Sequence, residues 1–157
     1  MKQKLLLVCF VTLLLGACKT SSGPGYFDFE PECLNTESDG SLTLRVWGDG
    51  RNMADAVAQA QKNALEAVLF KGVTKGLSGY QSRPLVPEVN AREKYQTYFN
   101  KFFKDGGEYM KYVSERDRRW GTSERRKNGT QVKWGVTIRV YVPELREKLL
   151  EDGILKP

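Results

Sequence analysis

Between residues 116 and 127 the chain carries six cations, Arg116, Arg118, Arg119, Arg125, Arg126 and Lys127, set around Trp120. Five of the six are arginine, whose planar guanidinium fork matches phosphate and carboxylate oxygens better than the compact lysine ammonium does. The chemistry open to such a cluster is anion or partner binding. Catalysis has much less to work with. The 157 residues contain no histidine, which removes the Ser-His-Asp triad, the Cys-His dyad and any His-ligated zinc site from this chain alone. The acids between residues 28 and 39 lack the spacing of a calcium loop. No glycine-rich phosphate loop, metal-ligand cluster or isolated carboxylate pair stands out elsewhere. No metal, no cofactor and no catalytic residue is therefore expected, and the chain reads as non-enzymatic.

At the N-terminus Lys2 and Lys4 precede Leu5 to Leu15, a run in which only Thr12 is not apolar. Eleven helical residues rise about 16 Å, half of a hydrocarbon core of about 30 Å, so the run is a signal h-region and not a membrane span. It ends in Leu15-Gly16-Ala17-Cys18. That tetrapeptide resembles the lipobox of bacterial lipoproteins: a leucine, two small residues, and the cysteine that is lipidated and becomes the mature N-terminus. The resemblance implies a signal peptide over 1–17 and acyl chains, palmitate among them, on Cys18. At about 0.8 kcal/mol per buried methylene, several chains hold a protein on a bilayer without a membrane helix. Lys19 stands where enterobacterial sorting uses aspartate for inner-membrane retention, which implies the outer membrane. Cys9 leaves with the signal peptide, so Cys33 is the remaining thiol. Without a partner or a histidine base it is expected to be passive, either buried or free.

The elements that must position these groups follow from patterning. Residues 18–40 read as the lipidated cysteine and a tether, rich in glycine, proline and serine. In residues 19–40 five acids against Lys19 give a net −4, and Tyr26, Phe27 and Phe29 are able to dock on the domain. Residues 41–157 read as one α+β domain. Leu42, Leu44 and Val46 alternate in a first strand that Gly48-Asp49-Gly50 stops. Asn52 is placed to cap a helix over Met53 to Lys71, with an alanine-rich stripe of Ala60, Ala64 and Ala67 that lets it lie close to a sheet, and Gly72 closes it. A Gly/Pro-rich loop, 73–87, precedes a second helix over about Glu88 to Lys104. Its stripe of Tyr95, Tyr98, Phe99, Phe102 and Phe103 is expected to be core opposite all that alanine.

Thr130 to Val142 alternates as a strand, and its partner starts near Tyr109. Asn128-Gly129 suggests a two-residue turn, but that register sets Ile138 opposite Arg119. A register pairing Val142 with Met110, Val140 with Tyr112 and Val132 with Trp120 keeps apolar residues on one face, and leaves a loop of about ten residues. Pro143 opens a last helix that Gly153 closes. The expected order is β-α-α-β-β-α, with an antiparallel sheet of at least three strands packed against helices.

Charge sharpens the picture. Loss of residues 1–17 takes Lys2 and Lys4 and lowers the formal +6 to +4. Residues 111–127 hold seven basic and three acidic side chains, again +4, so the rest of the mature chain is neutral. In a cytosolic protein the basic cluster would suggest nucleic acid, but export makes that an improbable routine ligand. The open alternatives are phospholipid or lipopolysaccharide phosphates, cell-wall carboxylates, an acidic partner protein, or a hairpin kept soluble by its charge.

Val46-Trp-Gly-Asp-Gly50, then Ala54-Asp-Ala56 with Ala60, Asn63, Ala64 and Ala67, then Gly72, resembles envelope lipoproteins of the group containing the N-terminal domain of flagellar assembly protein T. The likeness covers about 45 residues; Leu69-Phe-Lys-Gly72 and Phe102-Phe-Lys-Asp-Gly-Gly107 depart from it. It implies a binding or assembly module, and nothing ties this chain to a flagellum. The expected function is a lipid-anchored, non-catalytic cell-envelope protein that contacts its partner through the basic hairpin. The alternative is a domain for a small ligand or cell-wall fragment, with a pocket beside the aromatic helix and loop 73–87.

Overall fold

Two alternating segments form the middle of a mostly antiparallel sheet, and everything else is laid against them. A computed structural model describes residues 29–115, 124–128 and 131–156. In chain order the elements are β1 (Glu32–Thr36), β2 (Leu42–Asp49), α1 (Met53–Glu66) running into a π-turn (Ala67–Lys71), and β3 (Lys75–Gly76). There follow α2 (Ala91–Lys94), α3 (Gln96–Phe102), a 3-10 turn (Glu108–Tyr112), β4 (Val113–Ser114), β5 (Glu124–Asn128), β6 (Gln131–Val140) and α4 (Val142–Glu151). The sheet order is β3-β1-β2-β6-β4, with β5 also paired to β6. Only the β1–β3 pair is parallel. The α+β class and the antiparallel sheet against helices are as expected; the element order is not.

Leu42, Leu44 and Val46 of β2 lie beside Val140, Ile138 and Val136 of β6, and all six are buried. Period-two alternation puts them on one face. Onto that face α1 presses Ala56, Ala60 and Ala64, each fully buried. The contact is closest at Gly48. A Cβ there would run into the Ala56 carbonyl oxygen and stand 2.6 Å from the Ala60 nitrogen. The helix starts where its cap predicts, with Asn52 Oδ1 accepting from the Asp55 N–H at 2.9 Å. It ends through the π-turn at Gly72, whose φ of +78° closes it.

Four expectations change. The tether expected over 18–40 does not extend through its C-terminal part, because Glu32–Thr36 is a strand that pairs with β2 and buries Cys33 at 1 % exposure. One buried side chain in a polar pentapeptide is too little pattern to announce a strand. The second helix is broken at Tyr95 (φ −105°, ψ 32°), although bonds from Tyr95 N to Ala91 O and from Phe99 N to Tyr95 O carry the chain across the break. Phe99, Phe102 and Phe103 are buried core, as expected, and interlock edge to face with Phe70 and with one another. The outer hairpin strand begins at Val113 rather than Tyr109, since Glu108–Tyr112 coils into a 3-10 turn.

The hairpin register is the fourth correction, and it bears on function. At its base Val113 pairs with Val140, one residue away from the expected Tyr112. At its tip Arg125 pairs with Trp134, Lys127 with Val132 and Asn128 with Gln131. β5 ends at Asn128 and β6 begins at Gln131, so the expected loop of about ten residues does not separate them. Ser114 pairs with Arg139 and Glu124 with Gly135, so the two paired stretches of the outer edge differ in register, and residues 116–123 between them lie outside the described residues. The tip tolerates cations opposite apolar residues because Trp134 is only partly buried there and receives a guanidinium on its ring.

Candidate functional site

The face of the sheet turned away from α1 carries the outward phase of three strands. β2 contributes Arg45, Trp47 and Asp49, β6 contributes Lys133 and Gly135, and β5 contributes Glu124 and Arg126. Trp47 crosses onto β6 because position 135 has no side chain; a Cβ there would meet the indole ring at 3.2 Å. The indole is 6 % exposed. It is covered from outside by Phe29, edge to face at 5.3 Å between centroids, and by the Arg126 guanidinium at 5.0 Å. Lys133 Nζ in turn lies 4.9 Å from the Phe29 ring centre.

Carboxylates complete the arrangement. Arg126 Nη2 meets Glu124 Oε2 at 2.9 Å, and Lys133 Nζ meets Asp49 Oδ2 at 2.9 Å. Arg45 stands between Glu32, at 4.0 Å, and Glu124, at 3.9 Å. Exposed pairs like these each contribute about 0–1 kcal/mol. Their larger effect is to hold the cations over the rings, where each adds about 0.5–1 kcal/mol. On the opposite face of the same hairpin Arg125 is exposed, rests over Trp134 at 5.5 Å, and has no carboxylate partner among the described residues.

Of the expected binding residues, Arg125 and Arg126 are therefore brought to the two faces of one hairpin, each on a tryptophan. Lys127 lies in β5 opposite Val132. Arg116, Arg118, Arg119, Trp120 and the lipidation position Cys18 lie outside the described residues. Arg126 belongs to the cover of Trp47, a structural role that a count of cations does not reveal. Trp47, Phe29 and Gly135 also belong to the site, although a count of cations does not point to them. The available signal was the phase of β2: Trp47 alternates with Leu44, Val46 and Gly48, so it faces away from the helix and needs its own cover.

A second feature lies at the far end of the domain, in the place expected for a ligand pocket. Val86 and Ile154 floor a groove of about 520 Å³, walled by Leu85, Pro87, Tyr95 and Leu155. Glu88, Arg146 and Lys156 stand at its rim. A 2.6 Å hydrogen bond from Lys94 holds the Glu88 carboxyl below its ordinary range. Only residues 85–87 of the long loop reach this groove.

A smaller cleft, about 330 Å³, holds Tyr98, Lys148 and Asp152. Burial, and then the 2.7 Å bond that Tyr98 donates to Asp152, push the phenol far above its ordinary value. Burial works against ionisation of Asp152, but hydrogen bonds from Lys148 and Tyr98 outweigh it and keep the carboxyl low. Tyr98 is thus a hydrogen-bond donor here and not a base. Burial likewise raises the Cys33 thiol, which donates to the Asn35 carbonyl at 3.6 Å, so the expected passive cysteine is a buried one. Among the described residues no cluster of three or more Cys, Asp or Glu side chains is arranged to hold a metal ion, and no helix is long and apolar enough to cross a membrane. Comparison with protein-family models, with curated proteins and with solved structures gives no match to this chain.

Proposed function

We propose that this chain is a lipid-anchored, non-catalytic module of the bacterial cell envelope, on the outer membrane, that binds or assembles with a partner through the β5–β6 hairpin. The observation that carries the reading is Arg125: an exposed guanidinium on an edge strand, steadied by Trp134 and without a carboxylate partner among the described residues. Steadying a guanidinium on a ring lowers the entropy it loses on meeting an anion. The net charge of the mature chain is concentrated in the same stretch of sequence, and the lipobox-like Leu15-Gly16-Ala17-Cys18 supports anchoring. The resemblance of the strand and alanine helix to the group containing the N-terminal domain of flagellar assembly protein T supports an assembly role.

The test replaces Arg118, Arg119, Arg125 and Lys127 by serine and leaves Arg126 in place, because Arg126 covers Trp47. In native membranes the cross-linked species recovered with the wild-type chain are expected to fall at least about tenfold, the loss of one or two good charged contacts. The melting temperature should stay within about 3 °C, as for surface substitutions. An unchanged set of cross-linked species in a folded variant would exclude a protein partner at the hairpin.

The groove favours a second reading, a site for a small cell-wall fragment. Its size lies within the usual range for ligand pockets, and Arg146 and Lys156 at the rim suit a carboxylate. A muropeptide is expected to raise the melting temperature of the wild-type chain and not that of Arg146→Ala, Lys156→Ala. No stabilisation of the wild-type chain at millimolar muropeptide would set this reading aside.

A further inference from the structure

The first described residues show where the tether leaves the domain. β1 runs antiparallel to β2 with Glu32 opposite Arg45. Continued towards the N-terminus, that course heads for the Asp49 end of β2, where Asp49 lies opposite Lys133 near the hairpin tip. Phe29 confirms the direction: its ring sits on Trp47 and under Lys133. The chain therefore departs beside β5 and the tip of β6, at the end of the molecule that holds Arg125, Arg126, Lys127 and Lys133.

From the tether exit at Phe29 beside the cationic hairpin, we propose that the hairpin's partner is the anionic phospholipid surface of the bilayer that carries the anchor. This rests on the reading of Cys18 as the lipidated residue. Ten residues, 19–28, separate Cys18 from Phe29, and at about 3.4 Å each they span at most about 34 Å. A small protein domain is about 30 Å across. A protein partner at the hairpin tip would have to fit between domain and membrane with the tether almost fully drawn out, whereas lipid headgroups require no separation.

Charge points the same way. Residues 111–127 carry a net +4, which exceeds the two acids, Asp28 and Glu30, that flank Phe29 at the tether exit, and each Lys or Arg close to an anionic leaflet adds to the attraction. The acyl chains hold the protein at the surface; the hairpin sets which end faces it. The groove floored by Val86 and Ile154 then opens away from the bilayer, since the 19 residues from Met53 to Lys71, about 28 Å of helix, run from the hairpin end towards it.

The chain's three tryptophans make this measurable without a label on the protein. Trp47 and Trp134 lie at the hairpin, and Trp120 falls in the sequence between β4 and β5. The full-length lipidated protein is reconstituted into vesicles of phosphatidylcholine with about one third phosphatidylglycerol, a charge comparable to an anionic leaflet, and into vesicles of phosphatidylcholine alone. Both contain a lipid with a dansyl headgroup as energy acceptor. Transfer from tryptophan is expected to be at least about twofold stronger on the anionic vesicles and to fall to the neutral level near 1 M salt, where screening acts over about 3 Å. Arg125→Glu, Lys127→Glu should lose the difference, and Lys71→Glu at the far end should keep it.

The salt titration needs no substitution, so a misfolded variant does not decide the result. Equal transfer on both vesicles, unaffected by salt, would overturn the proposal. So would a charge-reversed variant that keeps its transfer but loses a cross-link to a second protein in native membranes, which would assign the hairpin to that protein. A chain that floats with neither vesicle, or whose N-terminal peptide has no acyl mass, would fail at Cys18 and take the proposal down with the anchor. A chain that floats but shows no charge dependence fails at the hairpin alone.

Discussion

Replacing Gly48 by alanine is expected to cost about 3–5 kcal/mol and to lower the melting temperature by about 10–20 °C, among the largest effects of any single substitution here. The added methyl has nowhere to go. It would run into the Ala56 carbonyl oxygen and approach the Ala60 nitrogen to 2.6 Å, and both are backbone atoms that move only with the helix. Shifting α1 outward would open gaps along Ala56, Ala60 and Ala64, all of which are fully buried. Overpacking of this kind already costs about 1–3 kcal/mol when side chains alone adjust. Gly79→Ala is the control, because its φ of +76° makes alanine strained but nothing lies within 4 Å of the new atom. That strain costs about 1–2 kcal/mol, so thermal melting separates the two causes. Equal losses at both positions would contradict the close approach of helix and strand.

Trp47→Ala is expected to destabilise the fold by about 3–5 kcal/mol, the usual range for a buried aromatic reduced to a methyl. Its indole fills the space above Gly135, supports Phe29 and carries the Arg126 guanidinium. Removing it leaves a gap on the outer face and takes away the ring on which Phe29 rests. Amide exchange at Phe29 and Glu30 should therefore accelerate together with exchange at Arg126. A double-mutant cycle of Trp47→Ala with Arg126→Ala is expected to give a coupling of about 0.5–1 kcal/mol, the size of an exposed cation–π contact. Zero coupling would show that the guanidinium and the ring do not act together.

Much of the architecture is legible in patterning. The alternation of Leu42, Leu44 and Val46, and of Val136, Ile138 and Val140, identifies the two central strands and their buried face. The N-cap at Asn52, the terminator at Gly72 and the alanine stripe define α1, and the hydrogen bond to Asp55 confirms the cap. These signals are local, so a sequence can display them. β1 is different. Its five residues are held by pairing with β2 on one side and β3 on the other, and nothing within Glu32–Thr36 itself specifies that environment.

The candidate site divides along the same line. Composition and spacing alone determine that the cations are concentrated between residues 111 and 127, that no histidine is present, and that a lipobox-like cysteine follows an apolar leader. The tertiary structure decides what Arg125 and Arg126 do. Register is a relation between strands, and it places Arg125 over Trp134 and, on the other face, Arg126 over Trp47, which belongs to a strand some 80 positions earlier in the chain. It also sets Asn128 opposite Gln131 at the hairpin tip and brings Phe29 beneath Lys133. Charge is a property of residues and is counted along the chain. Contact between an arginine, a distant indole and the tether depends on how strands are laid side by side, and only the folded sheet supplies that.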